Sequence, residues 1–231
     1  MKALQAQVAN SIPFSWVDGP GNRYVLFLQG CNFNCLACHN PQTIPLTTPR
    51  ATEMSVDQVL IQIRESLPFI SGVTVSGGEA TVQYEFIVEL FSALKEAEEF
   101  SELTTFIDSN GNAPIDVWDL LAPVTDGVML DLKSFDDKSH VELTGTSNET
   151  VLESIKYLAK LRILYEVRLL LIPGHNDSDE ELINTAVWLK GLDPEMRIKI
   201  NAFKTHGVRS SVRNWQEVTD QDMERYIRII S

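Results

Sequence analysis

All three cysteines of this 231-residue chain lie within eight residues, at Cys31, Cys35 and Cys38. A disulfide framework needs an even number of cysteines spread through the chain, and a closed structural zinc site needs four ligands. Three thiolates on one short loop instead suit a [4Fe–4S] cube that leaves one iron without a protein ligand. Such an iron can bind a small molecule, so the loop predicts a cluster that performs chemistry.

The main alternative for this loop is a zinc site with His39 as the fourth ligand. Adjacent residues such as Cys38 and His39 chelate one metal poorly, and no second Cys or His pair follows at the spacing of a zinc finger. Three unrelated buried cysteines are a further alternative, which the tight clustering disfavours. The residues therefore favour the iron–sulfur cluster.

Charge and composition exclude several classes of partner. The formal net charge is −13 and the pI is about 4.7, whereas nonspecific binding to nucleic acid or to an anionic membrane needs a basic surface. No stretch approaches the length of a transmembrane helix, and residues 1–7 lack the apolar core of a signal peptide. With its lone thiols, the chain is expected in a reducing cytoplasm, without nucleic-acid or membrane partners.

Short apolar runs alternate along the chain with amphipathic helical patterns. The predicted strands are 24–29, 72–75, 104–107, 127–132, 167–172 and 197–203. The predicted helices begin at Ser55, Ser178 and Thr219 or cover residues 87–94, 116–121, 136–143 and 149–161. Six βα units in series imply a parallel sheet in one domain, either an open doubly wound sheet or a curved partial barrel, since a closed barrel needs eight.

Polar groups follow the predicted strands at their carboxyl ends, where α/β folds place ligand sites. In chain order they are the cysteine loop after the first strand, Ser76 to Glu79 after the second, Asp108 to Gly111 after the third, Asp131 and Lys133 at the end of the fourth, and Lys204 and His206 after the sixth. A concave partial barrel lets all these groups converge on one cavity, so the polar pattern favours it over an open sheet.

The cysteine spacing resembles the Cys-x3-Cys-x2-Cys signature of radical S-adenosylmethionine (SAM) enzymes, and Ser76-Gly77-Gly78-Glu79 resembles their glycine-rich SAM motif. Further motifs are similar, in order, to those of the glycyl radical enzyme activases, the family of the pyruvate formate-lyase-activating enzyme: Val17-Asp18-Gly19-Pro20-Gly21 with Arg23, Gln29-Gly30-Cys31, Cys38-His39-Asn40-Pro41, Asp108-Ser109-Asn110-Gly111 and Val128-Met129-Leu130-Asp131-Leu132-Lys133. The resemblance covers residues 8–203. It implies a partial (β/α)6 TIM-like barrel of the radical SAM type, in one domain over residues 1–231 with a C-terminal loop and helix over 204–231.

This resemblance implies that Cys31, Cys35 and Cys38 hold one [4Fe–4S] cluster whose fourth iron chelates SAM. The chain would be an anaerobic oxidoreductase that cleaves SAM to a 5′-deoxyadenosyl radical, which takes hydrogen from a backbone glycine of a partner glycyl radical enzyme. It would act as a cytoplasmic monomer with flavodoxin or ferredoxin as electron donor. Residues 42–54 contain no cysteine, so the chain is expected to be a short member without the ferredoxin-like insert of some activases.

The family also implies SAM contacts. Gly77 and Gly78 would admit the amino group of SAM and Glu79 would orient it, with a tight turn and a solvated carboxylate as the simpler alternatives. Asp131 and Lys133 would contact the ribose and carboxylate of SAM, or pair with each other. The other implied cofactor contacts are Ala37, where relatives usually have an aromatic residue, His39, Arg168 and, after the sixth strand, Lys204 or His206.

A monovalent cation is implied near the SAM carboxylate, held by Asp108, the hydroxyl of Ser109 and the backbone at Met129; Asp108 could instead cap a turn. Asp18 would contact the incoming glycine loop of the partner or serve only as a turn residue. The basic C-terminal segment, Lys204 to Arg209 with Arg213 and Trp215, would cover the cavity or contact the partner. The competing functions are a radical SAM enzyme of the 7-carboxy-7-deazaguanine synthase type, acting on a small molecule, and a non-catalytic zinc- or iron-binding module.

Overall fold

The computed structural model describes residues 4–231, in which strands and helices alternate as the sequence predicts. The strands are β1 (Gln5–Ser15), β2 (Arg23–Leu28), β3 (Thr52–Ser55), β4 (Gly72–Gly77), β5 (Thr104–Ser109), β6 (Gly127–Leu132), β7 (Leu164–Leu171) and β8 (Ile198–Ala202). The α-helices are α1 (Val56–Ser66), α2 (Tyr84–Glu96), α3 (Ile115–Leu121), α4 (Asp137–Thr144), α5 (Glu149–Lys160), α6 (Asp179–Leu192) and α7 (Asp220–Ile230).

The strands form one sheet in the order β3-β1-β2-β4-β5-β6-β7-β8. β2 pairs with β4, β4 with β5, and β7 with β8, all in parallel. The strand order has two ends, so the sheet does not close on itself. The predicted α/β class with a partial barrel of six parallel strands is therefore confirmed, with β2 and β4 to β8 as those six strands.

The prediction missed β1 and β3, which pair antiparallel at one edge of the sheet. β1 lacks a clean alternation of buried and exposed residues, since Ala6 and Val8 are buried but Ile12 and Phe14 are exposed. Its pairing with β2 shifts register after Val8 and again after Ile12. Irregular pairing of this kind erases the period of two by which a strand is recognised.

Local capping signals predicted three helix starts well. The Ser55 side chain accepts from the backbone N–H of Gln58, whose side chain accepts from the Ser55 N–H, a complete capping box at α1. Ser178 accepts from the backbone N–H of Glu181 at α6, and Thr219 begins α7 in the same way. None of the helices within residues 4–231 has both the length and the apolar character that crossing a membrane requires.

Two compact units divide the described chain. The first contains residues up to Asn32, Gln42–Ser109 and Ala113–Met129, and the second contains Phe33–Pro41, Asn110–Asn112 and Leu130–Ser231. The first buries side chains of β2, β4 and α2 and the second those of α5, β7 and α6. The cysteine loop passes from the first unit to the second after Asn32. The residues of the predicted site are therefore divided between the two units.

Asp126 joins α2 to β5 in the first unit. Its carboxylate accepts from the Lys95 ammonium and from the backbone N–H of Thr105, at 2.7 Å. Partial burial raises the pKa of Asp126, but the hydrogen bonds from Lys95 and Thr105 outweigh it, and the net pKa is lowered.

We expect Asp126→Asn to lower the free energy of unfolding by about 1 kcal/mol at pH 7. The loss is small because the side chains of Lys95 and Asp126 are both partly exposed, so that solvent screens their attraction. A depressed pKa stabilises the fold above the unfolded-state pKa, and this contribution disappears as the pH falls through the folded-state value. The difference from the wild type should therefore shrink below about pH 4. Urea unfolding between pH 7 and pH 3 measures it, and an equal difference at both ends would contradict this account.

Candidate functional site

The cysteine loop begins at the carboxyl end of β2. Gly30, with φ +100°, turns the chain out of the strand. Its N–H donates to the carbonyl of Thr43 at 2.8 Å, and the N–H of Cys31 donates to the carbonyl of Ile44 at 3.0 Å. A Cβ on Gly30 would lie 2.7 Å from a methyl group of Leu46. The first cysteine is therefore fixed to the segment that follows the loop.

The second half of the loop rests on the last turn of α4. The N–H of Asn34 donates to the carbonyl of Thr144 at 3.1 Å, and that of Leu36 donates to the carbonyl of Leu143 at 2.8 Å. Carbonyls in the last turn of a helix have no intrahelical partner. The two loop residues that flank Cys35 thus donate to carbonyls that have no partner within α4.

Burial and nearby charges act in opposite directions on the Cys35 thiol. Burial raises the pKa of Cys35, the positive charge of Lys133 lowers it, and the neighbouring Cys38 and Asp131 raise it again. The charge of Lys133 favours the thiolate, which is the form of cysteine that binds a metal.

A mononuclear zinc site is not supported. Within residues 4–231, no three His, Cys, Asp or Glu side chains are arranged around a point that could hold one metal ion. A [4Fe–4S] cube binds its thiolates at separate iron atoms and so needs them further apart. The Nε2 of His39 lies 2.9 Å from the carbonyl oxygen of Lys204, and its ring lies beside Phe203. Three thiolates on one loop are a donor set that fits the cluster, and these three ligands remain a prediction.

The glycine-rich turn after β4 packs on the base of the cysteine loop. The N–H of Gly78 donates to the carbonyl of Leu28 at 3.0 Å, and the N–H of Glu79 donates to that of Gly30 at 2.7 Å. A Cβ on Gly77, whose φ is +130°, would lie 2.1 Å from the Leu28 oxygen. The close approach of two backbones therefore requires glycine here, and the predicted contacts to the amino group of SAM stay predictions.

We expect Gly78→Ala to destabilise the protein by about 2–3 kcal/mol, because its Cβ would lie 2.3 Å from the carbonyl oxygen of Gly30 and 2.6 Å from that of Thr43. Both are backbone atoms that cannot rotate away. At Gly191, in α6, a Cβ would meet no atom within 4 Å, and Gly191→Ala should stabilise by about 0.5–1 kcal/mol. Chemical denaturation of both variants measures this, and equal stabilities would contradict the close approach.

Glu79 is buried, with 1% of its surface exposed. Its Oε1 accepts from the N–H of Thr81 at 2.9 Å, from the Thr81 hydroxyl at 2.7 Å and from the Ser109 hydroxyl at 2.7 Å. The alternative of a solvated carboxylate is therefore wrong. The sequence prediction missed Thr81, although it stands two residues after Glu79, where a capping partner is common.

The groups predicted to hold a monovalent cation lie at the end of β5, for Asp108 and Ser109, and within β6, for Met129. Asp108 accepts from the hydroxyl of Ser76 at 2.9 Å, and Ser109 donates to Glu79 at 2.7 Å. The Met129 side chain is fully buried in β6. The cation site thus remains a prediction.

Asp131 and Lys133 point to the same face of the chain at the end of β6. The Lys133 ammonium lies 2.6 Å from the Asp131 carboxylate, with about a fifth of the lysine side chain and under a third of the aspartate side chain exposed. The alternative that they pair with each other is therefore observed. Because the pair stays accessible, a carboxylate or a ribose hydroxyl of a ligand could exchange with either member.

Arg168 is buried in β7, as expected for an arginine with a partner. Its Nε donates to the carboxylate of Glu166 at 2.7 Å, and both side chains are nearly buried. Residues two apart in a strand share a face, so the spacing of Glu166 and Arg168 was a signal that the prediction overlooked. A contact of Arg168 with SAM stays a prediction.

The basic C-terminal segment contacts the cysteine loop. Arg209 donates to the side-chain oxygen of Asn34, and a Cβ on Gly207 would lie 2.9 Å from the carbonyl oxygen of His39. The Lys204 ammonium donates to the carbonyl of Val218 at 3.1 Å. The remaining predicted residues of this unit are Ala37, which is buried in the loop, and His206, which is exposed.

Asp18 lies at the amino ends of the strands, because its turn connects β1 to the start of β2. Its carboxylate accepts from the hydroxyl of Ser15 at 2.6 Å, and its carbonyl accepts from the hydroxyl of Thr74 at 2.7 Å. Gly77 and Gly78 lie at the other ends of the same strands. The predicted contact of Asp18 with a partner protein remains a prediction.

Comparison with known proteins places the chain in one superfamily. A family profile described as the radical SAM superfamily matches residues 25–186. The chain is 39% identical over 202 residues to a pyruvate formate-lyase-activating enzyme of Streptococcus mutans, covering 84% of this chain and 76% of that protein. It is 31% identical to one of Staphylococcus aureus, covering 93% and 91%.

A similar fold occurs in a crystal structure of a domain of a pyruvate-formate lyase-activating enzyme from Bacteroides vulgatus. The TM-score is 0.56 at 24% identity, over 69% of this chain and 92% of that domain. At this level of identity the likeness supports the fold alone.

Proposed function

Because this chain belongs to the radical SAM superfamily, and within it to the pyruvate formate-lyase-activating enzymes, we propose that it is an activase of a glycyl radical enzyme. It binds one [4Fe–4S] cluster and SAM. When bound, the cluster supplies one electron that breaks a C–S bond of SAM, giving methionine and a 5′-deoxyadenosyl radical. The activase uses that radical to remove a hydrogen atom from a backbone glycine of its partner, leaving 5′-deoxyadenosine and a glycyl radical.

The observation that carries this proposal is the direct attachment of the glycine-rich turn to the cysteine loop. The N–H of Glu79 donates to the carbonyl of Gly30, the residue before Cys31. A ligand bound by the backbone at Gly77 and Gly78 would therefore be tied to the residue that precedes the first cysteine. This is the arrangement needed to bring SAM and an iron atom together.

The residues of the chain have distinct roles in this scheme. Cys31, Cys35 and Cys38 bind three irons, and the backbone at Gly77 and Gly78 binds the amino group of SAM. The buried Glu79 fixes the turn through Thr81 and Ser109 and orients that amino group. Further contacts to SAM and to a monovalent cation come from Ala37, His39, Asp108, Ser109, Met129, Asp131, Lys133, Arg168 and His206.

The partners follow from the same chemistry. The protein substrate is a glycyl radical enzyme, and Asp18 contacts this partner. Residues 42–54 contain no cysteine for a second cluster, so a flavodoxin or ferredoxin supplies the electron. The activase is a cytoplasmic monomer and works without oxygen, because an iron that lacks a protein ligand is open to attack.

Anaerobic reconstitution with iron and sulfide, followed by dithionite and SAM, tests the proposal. Formation of 5′-deoxyadenosine with methionine is the expected result, and addition of a pyruvate formate-lyase should then give the doublet of a glycyl radical in electron paramagnetic resonance (EPR). Binding of one zinc and no iron would overturn the radical chemistry. SAM cleavage without a glycyl radical in any glycyl radical enzyme would overturn the activase function and favour a small-molecule substrate.

A further inference from the structure

The last turn of α4 supports the half of the cysteine loop that contains Cys35. Its carbonyls at Leu143 and Thr144 accept from the N–H groups of Leu36 and Asn34. The position of Cys35 therefore depends on how firmly this turn is held. A residue that fixes the turn acts on the cluster through the loop.

His140 is buried within this turn, with none of its surface exposed. Its ring meets the ring of Phe33 edge to face, with centroids 5.6 Å apart and planes at 77°. Phe33 is itself 2% exposed and stands two residues before Cys35. The aromatic contact thus joins α4 directly to the cysteine loop.

The same imidazole closes the end of the helix. Its Nδ1 lies 2.7 Å from the carbonyl oxygen of Thr146, beyond Gly145, which ends α4 with φ +83°. The Thr144 hydroxyl donates to the carbonyl of His140 at 2.8 Å. Since a carbonyl oxygen only accepts, Nδ1 bears the proton and donates to Thr146.

The other ring nitrogen has no such role. The Nε2 of His140 is buried and finds no hydrogen-bond partner among residues 4–231. Burial also lowers the pKa of His140, so Nε2 carries a bare lone pair. A desolvated acceptor without a donor is unfavourable. Phenylalanine would avoid this cost and keep the ring contact, and asparagine would keep the donor to Thr146; only histidine combines both.

We propose that His140 is a positioning residue for the [4Fe–4S] loop: its ring supports Phe33 while its Nδ1–H fixes the last turn of α4, and together they place Cys35. The inference rests on the proposed cluster at Cys31, Cys35 and Cys38. Cys31 is held separately, by Ile44, so it does not depend on His140.

The test compares His140→Ala, His140→Phe and His140→Asn with Thr125→Val. Thr125 is a matched control, because its buried hydroxyl donates at 2.8 Å to the carbonyl of Leu121 at the end of another helix, α3. In cluster-free protein, the alkylation rate of each cysteine is followed by mass spectrometry. In reconstituted and reduced protein, the EPR spectrum and the midpoint potential of the cluster are measured.

We expect Cys35 of His140→Ala to be alkylated about tenfold faster than in the wild type, with Cys31 unchanged, because local opening exposes only the α4 side of the loop. The EPR spectrum and the potential should also shift, and neither should change in Thr125→Val. His140→Phe and His140→Asn should each restore only part of the wild-type behaviour. If His140→Ala does not fold, the results for His140→Phe and His140→Asn still decide the test.

Wild-type values for all three His140 variants, with stability losses like that of Thr125→Val, would overturn the proposal. Full restoration by His140→Phe alone would overturn the role of the Nδ1–H. A wild-type protein that binds no cluster would instead refute the proposed function. Alkylation of the cluster-free protein would still decide the role of His140 in placing Cys35.

Discussion

Replacing any one of Cys31, Cys35 and Cys38 by alanine should reduce SAM cleavage to the background of the protein-free reaction. Two thiolates cannot hold a cube with a single open iron, so the iron and sulfide bound after reconstitution should fall as well. The formation of 5′-deoxyadenosine under dithionite measures the loss. It should be equally complete for the three variants, because each thiolate binds a different iron.

Leu36→Ala is the matched control for these variants. Leu36 lies between two of the cysteines, is about one-third exposed, and contributes to the loop through its backbone N–H to Leu143. Truncating its side chain leaves that hydrogen bond in place. Leu36→Ala should therefore keep its cluster and its SAM cleavage, and undiminished cleavage in a cysteine variant would contradict the ligand assignment.

The largest expected effect on stability comes from Arg23, at the start of β2. Its side chain is fully buried and donates to the hydroxyl of Thr74 at 2.6 Å and to the carbonyls of Val73, Thr104 and Pro20 at 2.7, 2.8 and 3.1 Å. Its guanidinium carbon also lies 4.4 Å from the ring centroid of Phe106. One side chain thus ties the amino ends of β2, β4 and β5 to the turn that carries Asp18.

Arg23→Met should lower the free energy of unfolding by about 3–5 kcal/mol, because it leaves several buried acceptors without donors. Arg23→Lys should be destabilised as well, because one ammonium group cannot reach all the acceptors that surround the planar guanidinium. Urea denaturation measures both variants. A wild-type midpoint for Arg23→Met would show that water or neighbouring groups replace the guanidinium.

Arg64 offers a matched control on the surface. It also lies over a phenylalanine ring, 5.6 Å from the centroid of Phe100, and it pairs with the carboxylate of Glu99. Both members of that pair are about half exposed. Arg64→Met should therefore change the stability little, which would separate the effect of burial from that of losing an arginine.

Local signals in the sequence predicted most of the fold. The Ser55 and Gln58 capping box marked the start of α1, and the apolar run 127–132 matched β6. Both depend on residues within one turn or one strand of each other. β1 was missed for the same reason, because its place at the sheet edge depends on pairing with β2 and β3 and its own pattern is irregular.

The same contrast between local signals and distant contacts applies to the candidate site. The spacing of the three cysteines and the two adjacent glycines is visible in the sequence. The support for them is not, since Arg209 reaches Asn34 across 175 positions, and His140 meets Phe33 only after the chain has folded. Spacing can indicate which residues carry the chemistry, whereas distant contacts decide how firmly they are held.

The segment after the cysteine loop offers a natural site for building larger proteins. The carbonyls of residues 42–45 accept hydrogen bonds from residues 29–31, and Thr52 begins β3. Residues 46–51 lie between these two anchors. A segment inserted at 47–50 would therefore leave both anchors intact. Each doubling of the loop length would lower the free energy of unfolding by only about 0.6 kcal/mol. A chimera that carries a small electron-transfer domain there would relay electrons from an external reductant to the cluster while Cys31 stayed in place.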